Sequence, residues 1–171
     1  MTADERRERL DAVTERVIGC ALDVGHALGC GFLEKVYENA LAIELRHRGI
    51  KVEQQHGVAV YYGGEVVGDF VADLLVEDQV VVELKAAKAL DDVHMAQCLN
   101  YLKATGLTVC LLINFGKPRV EVKRIVSGFR VGVGRRWSAA NKDEPDCGSE
   151  LRRTAGRGLT ETRECLIPNN N

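Results

Sequence analysis

The sequence predicts an α/β fold, a mixed β-sheet flanked by helices, and three observations carry that prediction. Apolar residues recur at three- and four-residue steps between Leu10 and Leu45, the period of an amphipathic helix. Between Lys51 and Lys85 the pattern turns to short runs of β-branched residues separated by turn residues. Then a second helical stretch, near 91–104, leads into the continuous apolar run Leu107–Asn114.

The elements follow in order. Leu10, Val13, Val17, Ala21, Val24 and Leu28 form one helix stripe, broken by Gly29-Cys30-Gly31. A second helix is expected over 33–48, with Leu33, Val36, Tyr37, Ala40, Leu41 and Leu45 on its inner side and Gly49 as its stop. Residues 51–55 and 58–62 read as two short strands, and Gly63-Gly64 is a hairpin signal. Val66–Val76 and Val80–Lys85 read as further strands around a tight turn at Asp78. The run Val80-Val81-Val82 has no polar alternation, so that strand is expected to be covered on both faces. A third helix over 91–104 ends before Gly106, and strands follow at 107–114 and 120–126. The expected order is α-α-β-β-β-β-α-β-β. One domain over 1–130 and a disordered tail over 131–171, rich in Gly, Arg, Asn and Glu, complete the reading.

With 171 residues the chain can bury a real core. No apolar run approaches the roughly 20 residues of a membrane helix, and the charged N-terminus lacks a secretory signal. A cytoplasmic protein without membrane contact is the expectation. The six cysteines show no metal-ligand spacing and read as small buried thiols. A net charge of −2 does not announce a nucleic-acid binder. The distribution is less even: 12 Lys+Arg against 7 Asp+Glu from Lys117 onward, and 11 against 18 before it.

The chemistry concentrates at Asp73 and at Glu83-Leu84-Lys85. Glu83 and Lys85 are two apart on a strand and share a face, while Leu84 points the other way. If the turn occupies 77–79, Val76 pairs with Val80 and Asp73 falls opposite Glu83. Cross-strand neighbours lie about 4.5–5.5 Å apart at Cβ. Carboxylates that close repel unless a cation lies between them, and a hard divalent ion suits oxygen ligands. The plain alternative is an ion pair at a strand end. Against it, an all-valine strand that delivers charges to the edge of a core makes them costly unless paired or metal-bound.

Gly68-Asp-Phe-Val-Ala-Asp73 followed by Val82-Glu-Leu-Lys85 resembles motifs II and III of the PD-(D/E)XK nuclease superfamily. Gly31-Phe-Leu-Glu34-Lys-Val-Tyr37 is similar to the Gly-x-x-Glu-x-x-Tyr signature of the GxxExxY family within it. Gln97-Cys-Leu-Asn-Tyr101 resembles the Q-x-x-x-Y helix motif of RecB-like nucleases. The motifs fall in family order between Ala12 and Val126. The superfamily's proline is missing, since Ala72 precedes Asp73.

This resemblance implies a restriction-endonuclease-like core and a nuclease that hydrolyses phosphodiester bonds of nucleic acid, DNA ahead of RNA. It implies Mg²⁺, with Mn²⁺ as a substitute, held by Asp73, Glu83 and the Leu84 backbone carbonyl. Lys85 would orient or activate the attacking water, and Glu34 would be the acid from the second helix. Tyr37, Gln97 and Tyr101 would support the site or contact nucleic acid, and a homodimer is consistent with the superfamily. The bland readings are a surface acid at a helix start for Glu34 and core or core-edge positions for Tyr37, Gln97 and Tyr101. The alternative function is a catalytically inactive nuclease fold serving as a binding or assembly module. Without a broad basic surface, phosphate contacts would fall to Lys35, Arg46, Arg48, Lys51, Lys88 and Lys103.

Overall fold

A computed structural model describes residues 2–127. Its elements are α1 (Ala3–Leu28), α2 (Glu34–His47), β1 (Val52–Tyr62), β2 (Glu65–Val76), β3 (Val80–Lys85), α3 (Asp92–Thr105), β4 (Val109–Asn114) and β5 (Glu121–Val126). The expected tail over 131–171, and with it the boundary at 130, lies outside the described residues.

Among the described residues the strands form one mixed sheet in the order β1-β2-β3-β4-β5. Only β3 and β4 are parallel. A parallel pair needs a long crossover, and α3 supplies it. α1 and α2 pack Val17, Ala21, Tyr37, Leu41 and Leu45 against Leu74, Val80, Val82, Leu84, Leu111 and Ile113. On the opposite face, α3 packs Cys98, Tyr101 and Leu102 against Val58, Leu75, Val81, Cys110 and Leu112. The valine run is thus divided between two cores, Val80 and Val82 in one and Val81 in the other, as its lack of alternation predicts.

Local differences from the sequence reading have identifiable causes. α1 begins at Ala3, earlier than the apolar stripe, because Thr2 and Glu5 form a capping box. Leu33 and Val36 are exposed rather than inner. Leu33 is the N-cap of α2 and stands outside its stripe, and Val36 falls one residue off the line of Tyr37, Leu41 and Leu45. The two strands expected at 51–55 and 58–62 are one, β1, kinked at Gln55 where φ is 54°. The break in alternation that suggested a gap is a residue in the left-handed region, not a loop.

Two tight turns set the register. Tyr62 pairs with Glu65 around Gly63 and Gly64, both at positive φ, as a two-residue hairpin requires. Val76 pairs with Val80 as expected. In between, Glu77 and Asp78 both have positive φ, an uncommon state for side-chain-bearing residues. Lys51 holds them there: its amide donates to Glu77 Oε1 at 2.8 Å and its Nζ to Asp78 Oδ2 at 2.6 Å.

Behind β3, Asn114 clasps the chain that follows the strand. Its side chain accepts from the amides of Ala87 and Gly116 and donates to the Ala87 carbonyl. A Cβ on Gly116 would lie 2.3 Å from that carbonyl oxygen. Gly116→Ala should therefore destabilise the fold by about 1–3 kcal/mol. A denaturant melt checks this, and a midpoint equal to wild type would contradict the close approach.

Candidate active site

The β2–β3 ladder ends at the pair Leu74 and Val82, and the next step in that register sets Asp73 opposite Glu83. There the strands exchange a side-chain bond. Asp73 Oδ2 accepts from the Leu84 amide at 2.8 Å. Leu84's side chain goes into the α1/α2 core, so Glu83 and Lys85 take the face that α3 covers.

Glu83 is 3% exposed. Its Oε1 accepts from Lys85 Nζ at 2.7 Å, but its buried Oε2 has no hydrogen-bond partner. Burial first, and the Asp73 charge second, push the carboxyl up to about 7, against the pull of Lys85. Asp73 is also raised, chiefly by burial, which outweighs the bond from Leu84; Glu38 and Glu34 add to the rise. Burial by itself would lower Lys85, yet its bond to Glu83 and the surrounding carboxylates raise it. The lysine therefore stays charged, and the site remains short of positive charge.

Glu34 opens α2 and reaches across to β3, where its Oε1 accepts from the Ala86 amide at 3.2 Å. The structure thus brings Glu34, Asp73, Glu83 and Lys85 together around the end of β3. Of these four, only Glu34 lines the cavity of about 530 Å³ formed by Gly31, Phe32, Leu33, Glu34, Lys35, Ala86 and Gly116.

The remaining expected residues act as braces. Tyr37 is fully buried. Its hydroxyl donates to the Gly29 carbonyl and accepts from the Phe32 amide, while its ring stacks on Phe115 at 4.5 Å. It ties the glycine loop to α2 and so fixes where Glu34 starts. Tyr101 is 2% exposed and donates to the Val71 carbonyl at 2.9 Å. Gln97 Nε2 donates to the Tyr101 oxygen at 2.7 Å. Burial pushes the Tyr101 phenol up to about 12. Neither ring offers a surface to a ligand; half-buried Gln97 is the more open member of the helix motif.

The sequence reading missed Glu38. It is buried one turn after Glu34 and accepts from Lys35, Gln54 and Gln55. The kink at Gln55 lets two consecutive side chains of β1 reach one carboxylate. Glu38 lies on the inner stripe, between Tyr37 and Leu41, but its charge reads as outward-facing. Glu38 also takes Lys35 out of the phosphate track. Arg46, Arg48 and Lys51 are engaged with Gln54, with Asp23 and Glu44, and with Asp78. Of the six residues of that track, Lys88 and Lys103 have neither an ion pair nor a side-chain hydrogen bond among the described residues, and Arg46 is bonded only to the neutral Gln54.

The model of the PD-(D/E)XK nuclease superfamily matches residues 11–125. The chain belongs to that superfamily. Its mixed sheet with flanking helices is the architecture that membership implies. No curated protein matches the chain. Among solved structures it is similar to SSO0001, at 18% identity and a TM-score of 0.43 over 54% of this chain and 50% of that one. It is also similar to an alkaline exonuclease, LHK-Exo, from Laribacter hongkongensis, at 16% identity and a TM-score of 0.41 over 54% and 55%. The chain thus spans about half the length of each. None of the helices among the described residues is long and apolar enough to cross a membrane.

The raised carboxyls set a pH dependence for this superfamily member. Below pH 4.5 Glu83 is protonated whether folded or unfolded. Between 4.5 and about 7 only the folded state keeps the proton, so stability falls as pH rises through that window. The loss is about 3 kcal/mol, and Asp73 adds with the same sign. Melts in chelator should show that slope for wild type and a flatter one for Glu83→Gln. Identical slopes would contradict the assignment.

Proposed function

We propose that the protein is a divalent-cation-dependent phosphodiesterase acting on nucleic acid, DNA in preference to RNA, and a GxxExxY-type member with RecB-like features. One observation carries this reading: the buried Oε2 of Glu83 has no partner although Asp73 and Lys85 stand beside it. A purely structural carboxylate in this protein looks different. Glu38 is equally buried, and both of its oxygens accept hydrogen bonds, from Lys35, Gln54 and Gln55.

The donor set fits a hard, partly hydrated cation. Among the described residues no group of three or more His, Cys, Asp and Glu side chains could enclose a metal. Mg²⁺ suits such a site, since it usually keeps several waters and takes only one or two carboxylates. Asp73 and Glu83 would hold it, with the Leu84 carbonyl as a further ligand and Mn²⁺ as a substitute. When bound, the ion supplies Lewis acidity and lowers the pKa of coordinated water.

The chain's own residues do the rest. Lys85 keeps its proton, so its Nζ orients water by donating to it and balances negative charge developing on phosphorus. Glu34 stands at the cavity mouth, where a carboxylate accepts a hydrogen bond from water or from a hydrated ion. Leu84 holds Asp73 in place through its amide. Glu83, near neutrality in its proton affinity, gives up that proton as positive charge arrives. Tyr37 and Tyr101 fix the two helices that border the reacting centre.

The test is cleavage of labelled single- and double-stranded DNA and RNA with Mg²⁺ or Mn²⁺. Wild type should cut, and Lys85→Ala and Asp73→Asn should each lose about a hundredfold or more. No cutting by wild type, with cation binding intact, would replace this reading with an inactive nuclease-fold binding module. The incomplete side-chain ligand set is the observation on that side.

A further inference from the structure

The β1–β2 hairpin runs past the rest of the sheet, because β3 pairs with β2 only from Leu74 to Val76. α3 packs against the hairpin's inner face and leaves a recess of about 380 Å³, lined by Ala59, Val60, Tyr61, Phe70, Asn100, Lys103 and Ala104. Phe70 is 44% exposed. Its ring meets Tyr101 edge-on at 6.4 Å, so it is held on the α3 side of the sheet, the side that carries Glu83 and Lys85.

The recess combines a fixed aromatic face, a cation and an amide. Lys103 is exposed and makes no ion pair among the described residues. Asn100 is exposed and offers both a donor and acceptors. Phe70 precedes Asp73 by three residues on an extended strand, roughly 10 Å, a distance that a short stretch of nucleotides spans. Bases stack on aromatic rings when they are free of a duplex, and a lysine beside the stack meets the phosphate.

We propose that this recess is a base-binding subsite for single-stranded nucleic acid, with an unpaired base stacked on Phe70, its polar edge at Asn100 and the adjoining phosphate at Lys103. It rests on the nuclease reading and deepens it: the substrate delivered to Glu83 and Lys85 is a single strand or an unpaired end. A fully paired duplex keeps its bases inside the helix and has nothing to place there. The exposed ring beside a lysine and an amide matches a nucleotide, whose base, polar edge and phosphate each meet one of the three.

The test uses the full chain and an oligodeoxynucleotide carrying 2-aminopurine, in Ca²⁺ for binding and Mn²⁺ for cleavage, beside a blunt duplex of the same sequence. Phe70→Leu keeps an apolar side chain at a half-exposed position, so folding can be checked by circular dichroism. Wild type should quench the probe. Phe70→Leu should remove the quenching and weaken single-strand binding roughly tenfold. Lys103→Ala should weaken binding and flatten its salt dependence. Duplex binding should be unchanged by either. Metal-dependent cleavage with single-strand binding untouched in both variants overturns the subsite and leaves the nuclease reading standing. Equal losses on single strand and duplex overturn the commitment to unpaired bases. A change in sedimentation with unchanged binding assigns the recess to a dimer contact and overturns the proposal. Failure of wild type to bind or cut any nucleic acid overturns both readings.

Discussion

The burial of Glu83 at the end of an all-valine strand is the constraint on which the rest of the site depends. A carboxylate enclosed by protein is costly unless its charge is met. Here Lys85 meets one oxygen and leaves the other bare, while Asp73 adds a second negative charge. The fold keeps this arrangement because β3 is fastened on both sides and packed on both faces. Strand pairing thus supplies the rigidity with which an unfavourable cluster of charges is held ready.

Several features that look unrelated serve this same point. Asn114 secures the segment after Lys85, and Gly116 allows the backbones to come close enough for it. Tyr37 fixes the glycine loop and hence the start of α2, which brings Glu34 to Ala86. Tyr101 joins α3 to the β2 backbone beside Asp73. Lys51 steadies a turn whose residues disfavour its conformation, and that turn sets the register between β2 and β3. A slip by one residue there would send Asp73 to the other face of the sheet.

Most of the architecture was legible in the sequence, because helix and strand periods here differ sharply and glycines mark the ends. The register of β2 and β3 followed from turn length alone, so the meeting of Asp73 and Glu83 was readable too. Three things were not. Gln55 hides a kink that only tertiary contacts with Glu38 make sense of, so one strand read as two. Glu38 is charged yet inward, which a polar-out rule misses. Tyr37 and Tyr101 read as site residues from the motif resemblance, with core and core-edge positions as the alternatives, and the backbone carbonyls their hydroxyls meet belong to segments the periodicity does not bring together. The basic track also thinned, since ion pairs depend on neighbours distant in sequence.

On the proposed function, Asp73 and Glu83 form a cation site that the protein leaves incomplete. Calorimetric titration of Mn²⁺ into wild type and Glu83→Gln, repeated in buffers of different ionisation enthalpy near pH 7, tests it most directly. Wild type should show one site and release a fraction of a proton on binding, and the variant should lose that binding. Equal binding in both proteins, or no heat in either, would contradict it.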